Sequence, residues 1–127
     1  MIAKEMMTTQ VMTVKPETSI KEAMKLLVGI EISGLIVTDS NDDIVGIVTE
    51  RDLLVAYEFL GQILAPIGDY MNKKIIGVDE NASFEDISKM LGQGDIRRVP
   101  VLRGKKVVGV ISRRDLLKAV LSQQKHD

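Results

Sequence analysis

Cysteine is absent from this chain, which removes disulfides, thiolate catalysis, iron–sulfur ligation and cysteine-based zinc sites together. Histidine occurs once, at His126, one residue from the C-terminus where chains usually fray. Neither a metal site nor a histidine-driven acid–base mechanism is therefore expected. Aromatic residues make up 3% of the chain, and Tyr57, Phe59 and Tyr70 are too scattered for a base-stacking platform. An excess of one charge is missing too: 17 basic against 18 acidic residues leave a net charge of -1. That balance argues against wrapping nucleic acid or lying on an anionic membrane. No apolar run approaches the ~18 residues needed to span a bilayer. The start, Met1-Ile2-Ala3-Lys4-Glu5-Met6-Met7, carries both charges where a signal peptide would be apolar, so the expected location is the cytoplasm. These absences predict a protein that binds something and is not an enzyme, with no catalytic residue and no metal ligand to assign.

What is present is an ordinary globular composition, 45% apolar and 28% charged over 127 residues, enough for one domain or two very small ones sharing a core. The chain is also written twice. A shift of 64 residues aligns Met7 to Thr38 with Met71 to Leu102, and a shift of 63 aligns Ile44 to Tyr57 with Val107 to Val120. Fourteen of those 46 positions are identical, where about three would match by chance. Among them are Met7/Met71, Gly46/Gly109, Arg51/Arg114 and Asp52/Asp115. The period is too long for a solenoid repeat, so each copy should be a small α/β unit.

Each copy reads strand, helix, strand, strand, helix. Val11 to Val14 and Ile75 to Val78 are short strand-like runs. Ser19-x-x-Glu22 and Ser83-x-x-Asp86 are capping-box patterns, followed by apolar stripes at helical spacing: Ile20, Ala23, Met24, Leu27 and Phe84, Ile87, Met90, Leu91. Gly29 and Gly94 could supply left-handed helix ends. Two strands joined by Asp39-Ser40-Asn41-Asp42 or Arg103-Gly104-Lys105 predict a hairpin in each copy, and a second helix follows from about residue 51 and from about residue 113. The expected organisation is a first repeat at 1–60, a connector at 61–70 and a second repeat at 71–127. A unit of this size alone buries too little surface, so the fold class expected is α/β (α+β), two β-α-β-β-α repeats packed sheet to sheet with pseudo-two-fold symmetry and equivalent clefts.

The chemistry concentrates in Gly46-Ile47-Val48-Thr49-Glu50-Arg51-Asp52 and Gly109-Val110-Ile111-Ser112-Arg113-Arg114-Asp115. A helix N-terminus presents free amides and a positive dipole end, which suits phosphate. A hydroxyl there can donate to phosphate, an arginine can pair with it, and a carboxylate one turn in can grip the vicinal hydroxyls of a ribose. The same spacing fits a plain helix cap, which is the commoner use. Spacing alone leaves both readings open.

The duplicated pattern of Met, strand, capped helix, hairpin and G-h-h-[ST]-x-x-D resembles the cystathionine β-synthase (CBS) domain as a tandem pair, or Bateman module, from about Met7 to Leu121, standing alone with no room for a catalytic domain. The resemblance implies a regulatory module sensing adenosyl ligands (AMP, ADP, ATP or S-adenosylmethionine), with no obligatory cofactor, acting in trans on an unidentified protein. Asp52 and Asp115 would hold ribose, and Thr49 and Ser112 ribose or phosphate. Arg51, Arg113 and Arg114 would lie nearest phosphate, and Thr13-Val14 and Gly77-Val78 would border the base. The second copy carries Arg97-Arg98-Val99-Pro100, close to the family's basic-basic-apolar-Pro pattern, where the first has Gly34 and Ile36 at the Arg98 and Pro100 positions. One cleft should therefore bind charged ligand better than the other. Such modules commonly pair into homodimers, for which Phe59, Leu60, Ile63 and Leu64 could supply surface. A ligand-free dimerisation or scaffold protein, in which the aspartates only cap helices, is the alternative.

Overall fold

The computed structural model describes residues 1–30, 32, 34–93 and 96–124. In chain order its elements are α1 (Ala3–Met6), β1 (Thr13–Val14), α2 (Ile20–Ile30), β2 (Gly34–Thr38), β3 (Ile44–Thr49), α3 (Glu50–Leu60), a 3-10 turn (Ile67–Asp69), β4 (Val78–Asp79), α4 (Phe84–Leu91), β5 (Arg98–Arg103), β6 (Lys106–Ser112) and α5 (Arg113–Gln123). The strands form two three-stranded sheets, ordered β1-β2-β3 and β4-β5-β6. In each, the short first strand runs parallel to the central one and the hairpin partner runs antiparallel. The strand–helix–strand–strand–helix order expected of each copy is present in both, although the first strands are shorter than the apolar runs that signalled them.

The unit Met12–Ile75 is built on alternation and helical spacing. In β3, Ile44, Gly46 and Val48 are buried and their neighbours only half-buried, the period of two that a strand imposes. Ile20, Ala23 and Leu27 of α2, with Leu53 and Ala56 of α3, close over Leu35, Val37 and Val48 to make one core. Gly29, expected as a left-handed helix end, lies inside α2 without a positive φ. The amide of Ile32 donates back to the Leu27 carbonyl at 3.3 Å. The left-handed cap occurs instead at Gly61, after α3, with φ 65°. Gly94 lies outside the described residues. Thr38, the one buried polar side chain among the described residues, accepts from the Lys15 ammonium at 3.1 Å, which also reaches the Asp39 carbonyl at 2.8 Å and Asp42 at 3.0 Å. Lys15 thus ties the end of β1 to its hairpin.

Residues 61–70 contribute Ile67 to this core and pack Ile63, Ala65 and Tyr70 against it. The amides of Ile20 and Lys21 donate to the carbonyls of Ala65 and Ile63 at 2.9 and 2.8 Å, and the Ile67 amide donates to Thr18 at 2.8 Å. Ile67 itself is fully buried. Phe59 and Leu64 are exposed, whereas Leu60 and Ile63 pack against the core.

The second unit joins Met1–Val11 to Ile76–Asp127, so the spatial units are cut differently from the sequence repeats at 1–60 and 71–127. Ala3 and Met6 are buried with Val78, Ile87, Leu91, Val99, Val101, Ile111 and Leu116. The Ala3 amide donates to Ala82 at 2.9 Å, and Thr8 exchanges two 2.9 Å backbone bonds with Val110 on the open edge of β6. In the other unit, Asn72 makes the matching pair with Ile47 on the open edge of β3, at 2.8 and 3.0 Å. Each segment therefore completes the sheet of the other sequence copy. A bidentate pair, Arg103 to Glu80 at 2.6 and 3.1 Å, joins hairpin to loop here. Its hydrogen bonds hold the Glu80 carboxyl below its ordinary pKa. The pair's contribution is therefore present at neutral pH and lost as pH falls through the acid range.

The duplicated Met and Gly identities are explained by this crosswise packing. A Cβ on Gly109 would run into the side chain of Met7, and one on Gly46 into that of Met71. Gly109→Ala is expected to cost about 1–3 kcal/mol in urea unfolding. In the Met7→Ala background the same change should cost clearly less, because the colliding side chain is gone. Equal costs in both backgrounds would mean that the glycine serves something other than the methionine. Among the described residues, no helix is long and apolar enough to cross a membrane, and no group of three or more His, Cys, Asp or Glu could hold a metal ion.

Candidate functional site

Strand register gathers the sequence-selected residues at one end of each sheet. Gly34, the first residue of β2, lies opposite Thr49, the last of β3, and Thr13 of β1 pairs two residues further along at Ile36. In the other unit Arg98 lies opposite Ser112, and Val78 pairs with Val101. Thr13, Val14, Thr49, Arg51 and Asp52 thus share one sheet end. Gly77, Val78, Arg97, Arg98, Val99, Pro100, Ser112, Arg113, Arg114 and Asp115 share the corresponding end of the other.

Both helix starts are closed capping boxes. Thr49 Oγ1 accepts from the Asp52 amide at 3.3 Å, while Asp52 Oδ2 accepts from the Thr49 amide at 2.9 Å and from its hydroxyl at 3.0 Å. Ser112 and Asp115 repeat this at 3.3, 2.8 and 3.1 Å. Each box satisfies amides that a helix start leaves orphaned and places a negative charge at the positive end of the dipole. The four residues are half-buried, so each carboxylate is oriented yet reachable by solvent. The capping reading of these residues is therefore correct, and it leaves acceptor capacity over for a ligand.

The arginines divide. Arg51, Arg97, Arg98 and Arg114 are exposed. Arg113 donates its Nε to the Leu91 carbonyl at 2.6 Å and an Nη2 to Ile96 at 3.5 Å. Leu91 ends α4, whose last carbonyls lack helical partners, so Arg113 serves as a side-chain cap on that helix. The other copy has Glu50 at this position, which cannot donate. Arg113→Ala is expected to lower stability by about 1 kcal/mol, and Arg114→Ala to stay within about 0.5 kcal/mol. Chemical denaturation of both variants checks this, and the reverse order would refute the cap.

Val99 and Pro100 are buried in β5. Pro100 sits in a central strand without penalty because its partner Val110 turns both backbone groups toward Thr8, away from β5. On its other side β4 begins only opposite Val101. The chain entering β4 passes close over this proline: a Cβ on Gly77 would lie 3.1 Å from the Pro100 carbonyl oxygen and 3.3 Å from its ring. Gly77 and Pro100 are thus complementary parts of the wall of this sheet end.

One polar contact was not read from the sequence. Thr8 Oγ1 donates to Asp115 Oδ1 at 3.1 Å, across 107 residues. The only local signal was its place beside the repeated methionine, and its counterpart at the 64-residue shift is Asn72.

A CBS-domain family profile matches residues 3–58 and 67–122. The chain is 36% identical to an uncharacterized 17.7 kDa protein of Acidianus ambivalens over 115 residues, 90% of this chain and 70% of that one. It is 31% identical to the CBS domain-containing protein YhcV of Bacillus subtilis, over 89% of this chain and 81% of that one. The crystal structure of CBSX2, a chloroplastic protein of Arabidopsis thaliana, in complex with AMP matches with a TM-score of 0.83 at 29% identity, covering 97% of this chain and 98% of that one.

Proposed function

We propose that this chain, which belongs to the CBS-domain family and carries two copies of the domain, is a regulatory module that binds an adenosyl ligand (AMP, ADP, ATP or S-adenosylmethionine) and acts in trans on a protein partner. The observation that carries the reading is the pair of half-buried aspartates held at helix starts with acceptor capacity to spare, at the ends of sheets that also expose arginines. A carboxylate so held suits a vicinal diol, and exposed arginines beside a helix N-terminus suit phosphate. The AMP bound by CBSX2 supports the same ligand class. Thr49, Arg51, Asp52, Arg98, Ser112, Arg114 and Asp115 would make the polar contacts. Thr13, Val14, Gly77, Val78, Val99 and Pro100 would shape the walls, and Arg97 would stay solvated.

Calorimetric and thermal-shift titrations with AMP, ADP, ATP and S-adenosylmethionine test this. A ligand at 100 times its Kd should stabilise by ~2.7 kcal/mol, a shift of several degrees. No heat and no shift with all four would favour the scaffold reading, which the completeness of the two capping boxes supports.

The same module is proposed to form a homodimer. Leu54 and Phe59 on α3, and Leu117 and Leu121 on α5, are each more than 60% exposed, a large apolar display for a chain of this size. Leu117→Lys should shift the sedimentation mass from dimer to monomer. A monomeric wild type at micromolar concentration would end this proposal.

A further inference from the structure

We infer that Thr8 makes the two aspartate sites unequal by occupying the second of them: an adenosyl ribose engages Asp52 first, and gains its full grip on Asp115 only when the Thr8 hydroxyl lets go. This rests on the adenosyl reading above. A carboxylate offers about four acceptor positions, two on each oxygen. In both units Oδ2 is filled by the cap, receiving the amide and the hydroxyl of Thr49 or of Ser112. The remaining oxygen must take both hydroxyls of a vicinal diol. On Asp52, Oδ1 has no partner among the described residues, so both positions are open. On Asp115, Oδ1 already accepts from Thr8 Oγ1 at 3.1 Å, which leaves one.

The difference follows from the crosswise packing of the N-terminal segments. Thr8 is pinned to β6 by its two backbone bonds to Val110, two residues before Ser112, and its hydroxyl reaches the cap. Asn72 holds the same place beside β3, but its side-chain oxygen accepts from the Lys74 amide at 2.9 Å and turns to its own turn instead. The neutral amide of one copy folds onto itself, whereas the hydroxyl of the other competes for the carboxylate.

The test is calorimetric titration with AMP and with 2′-deoxy-AMP of the wild type, Thr8→Val, Asp52→Asn and the double variant Thr8→Val/Asp52→Asn. Valine keeps the β-branched shape and both backbone bonds, so the fold should persist, which a melting curve verifies. In the wild type the tighter AMP site should weaken about 10- to 100-fold with Asp52→Asn, enough to leave the titrated range. Thr8→Val should tighten the weaker site about three- to tenfold, the worth of one released hydrogen bond, and leave the tighter one unchanged. The preference for AMP over 2′-deoxy-AMP should grow at that site by a similar factor, a change that loosened packing would not produce. The double variant should show the tightened site alone. An unchanged or weakened affinity in Thr8→Val, or a tight site that survives Asp52→Asn, overturns the inference while adenosyl binding itself stands. Absence of heat with either nucleotide in the wild type and in Thr8→Val overturns both.

Discussion

Ile67→Ala should destabilise the protein by about 2–5 kcal/mol, the range for truncating a fully buried aliphatic side chain. Composition reads residues 61–70 as a connector, with Pro66 and Gly68 as its turn residues, and a connector would tolerate the change within about 0.5 kcal/mol. The packing says otherwise. Ile67 is fully buried in the core with Ile20, Leu53 and Ala56. Its amide donates to Thr18, and its carbonyl accepts from the amides of Tyr70 and Met71 at 2.9 and 3.0 Å. Removing its outer carbons would leave a cavity under the start of α2 that a backbone fixed from both sides cannot collapse to fill. Urea denaturation decides the matter: a midpoint lowered at unchanged slope is the expected result. A loss below 0.5 kcal/mol would return the segment to the status of a linker.

Asp52→Asn carries the largest expected effect on binding, a fall of about 10- to 100-fold in AMP affinity with stability held within about 1 kcal/mol. The asparagine oxygen can still accept from the Thr49 amide, so most of the cap survives. With its oxygen on the cap, the asparagine puts a donor NH2 where Oδ1 stood, so the ribose hydroxyls lose their charged acceptor, and hydrogen bonds to charged groups are worth ~1.5–3 kcal/mol. The paired measurement is calorimetric affinity beside a denaturation curve. Full AMP affinity in a folded Asp52→Asn protein would assign the carboxylate to capping alone and move the functional reading to the scaffold. Asp115→Asn is the internal comparison and should cost less, because part of that carboxylate is already committed to Thr8.

Much of the fold was legible in the linear order of residues because the determinants are local. Ser83 and Asp86 stand three apart and form their cap, the Ser83 hydroxyl accepting from the Asp86 amide at 3.1 Å. The alternation in Ile44 to Val48 becomes the inward face of β3, and Gly104 takes the left-handed turn of its hairpin with φ 63°. The two heptapeptides were likewise found by spacing alone, since capping acts within one helical turn. The bonds of Arg113 reach carbonyls 17 and 22 residues away, at Ile96 and Leu91, and no local spacing distinguishes a phosphate-facing arginine from one that also closes a neighbouring helix.

The duplication, the order of elements, the hairpins and the four serine or threonine caps follow from periodicity and short-range hydrogen bonding, and are readable along the chain. Which copy each N-terminal segment completes was decided only in three dimensions. Met7 and Met71 are equivalent in sequence, as are Gly46 and Gly109, so either methionine suits either glycine. In each sheet the first strand lies on the opposite edge from the third. A segment directly preceding β1 could reach the open edge of β3 only by crossing a face of its own sheet, and α2 and α3 already cover the core face. Docking on β6 instead places Met7 over Gly109 and Thr8 beside Asp115, a contact that exists because the chain folds back across 107 residues.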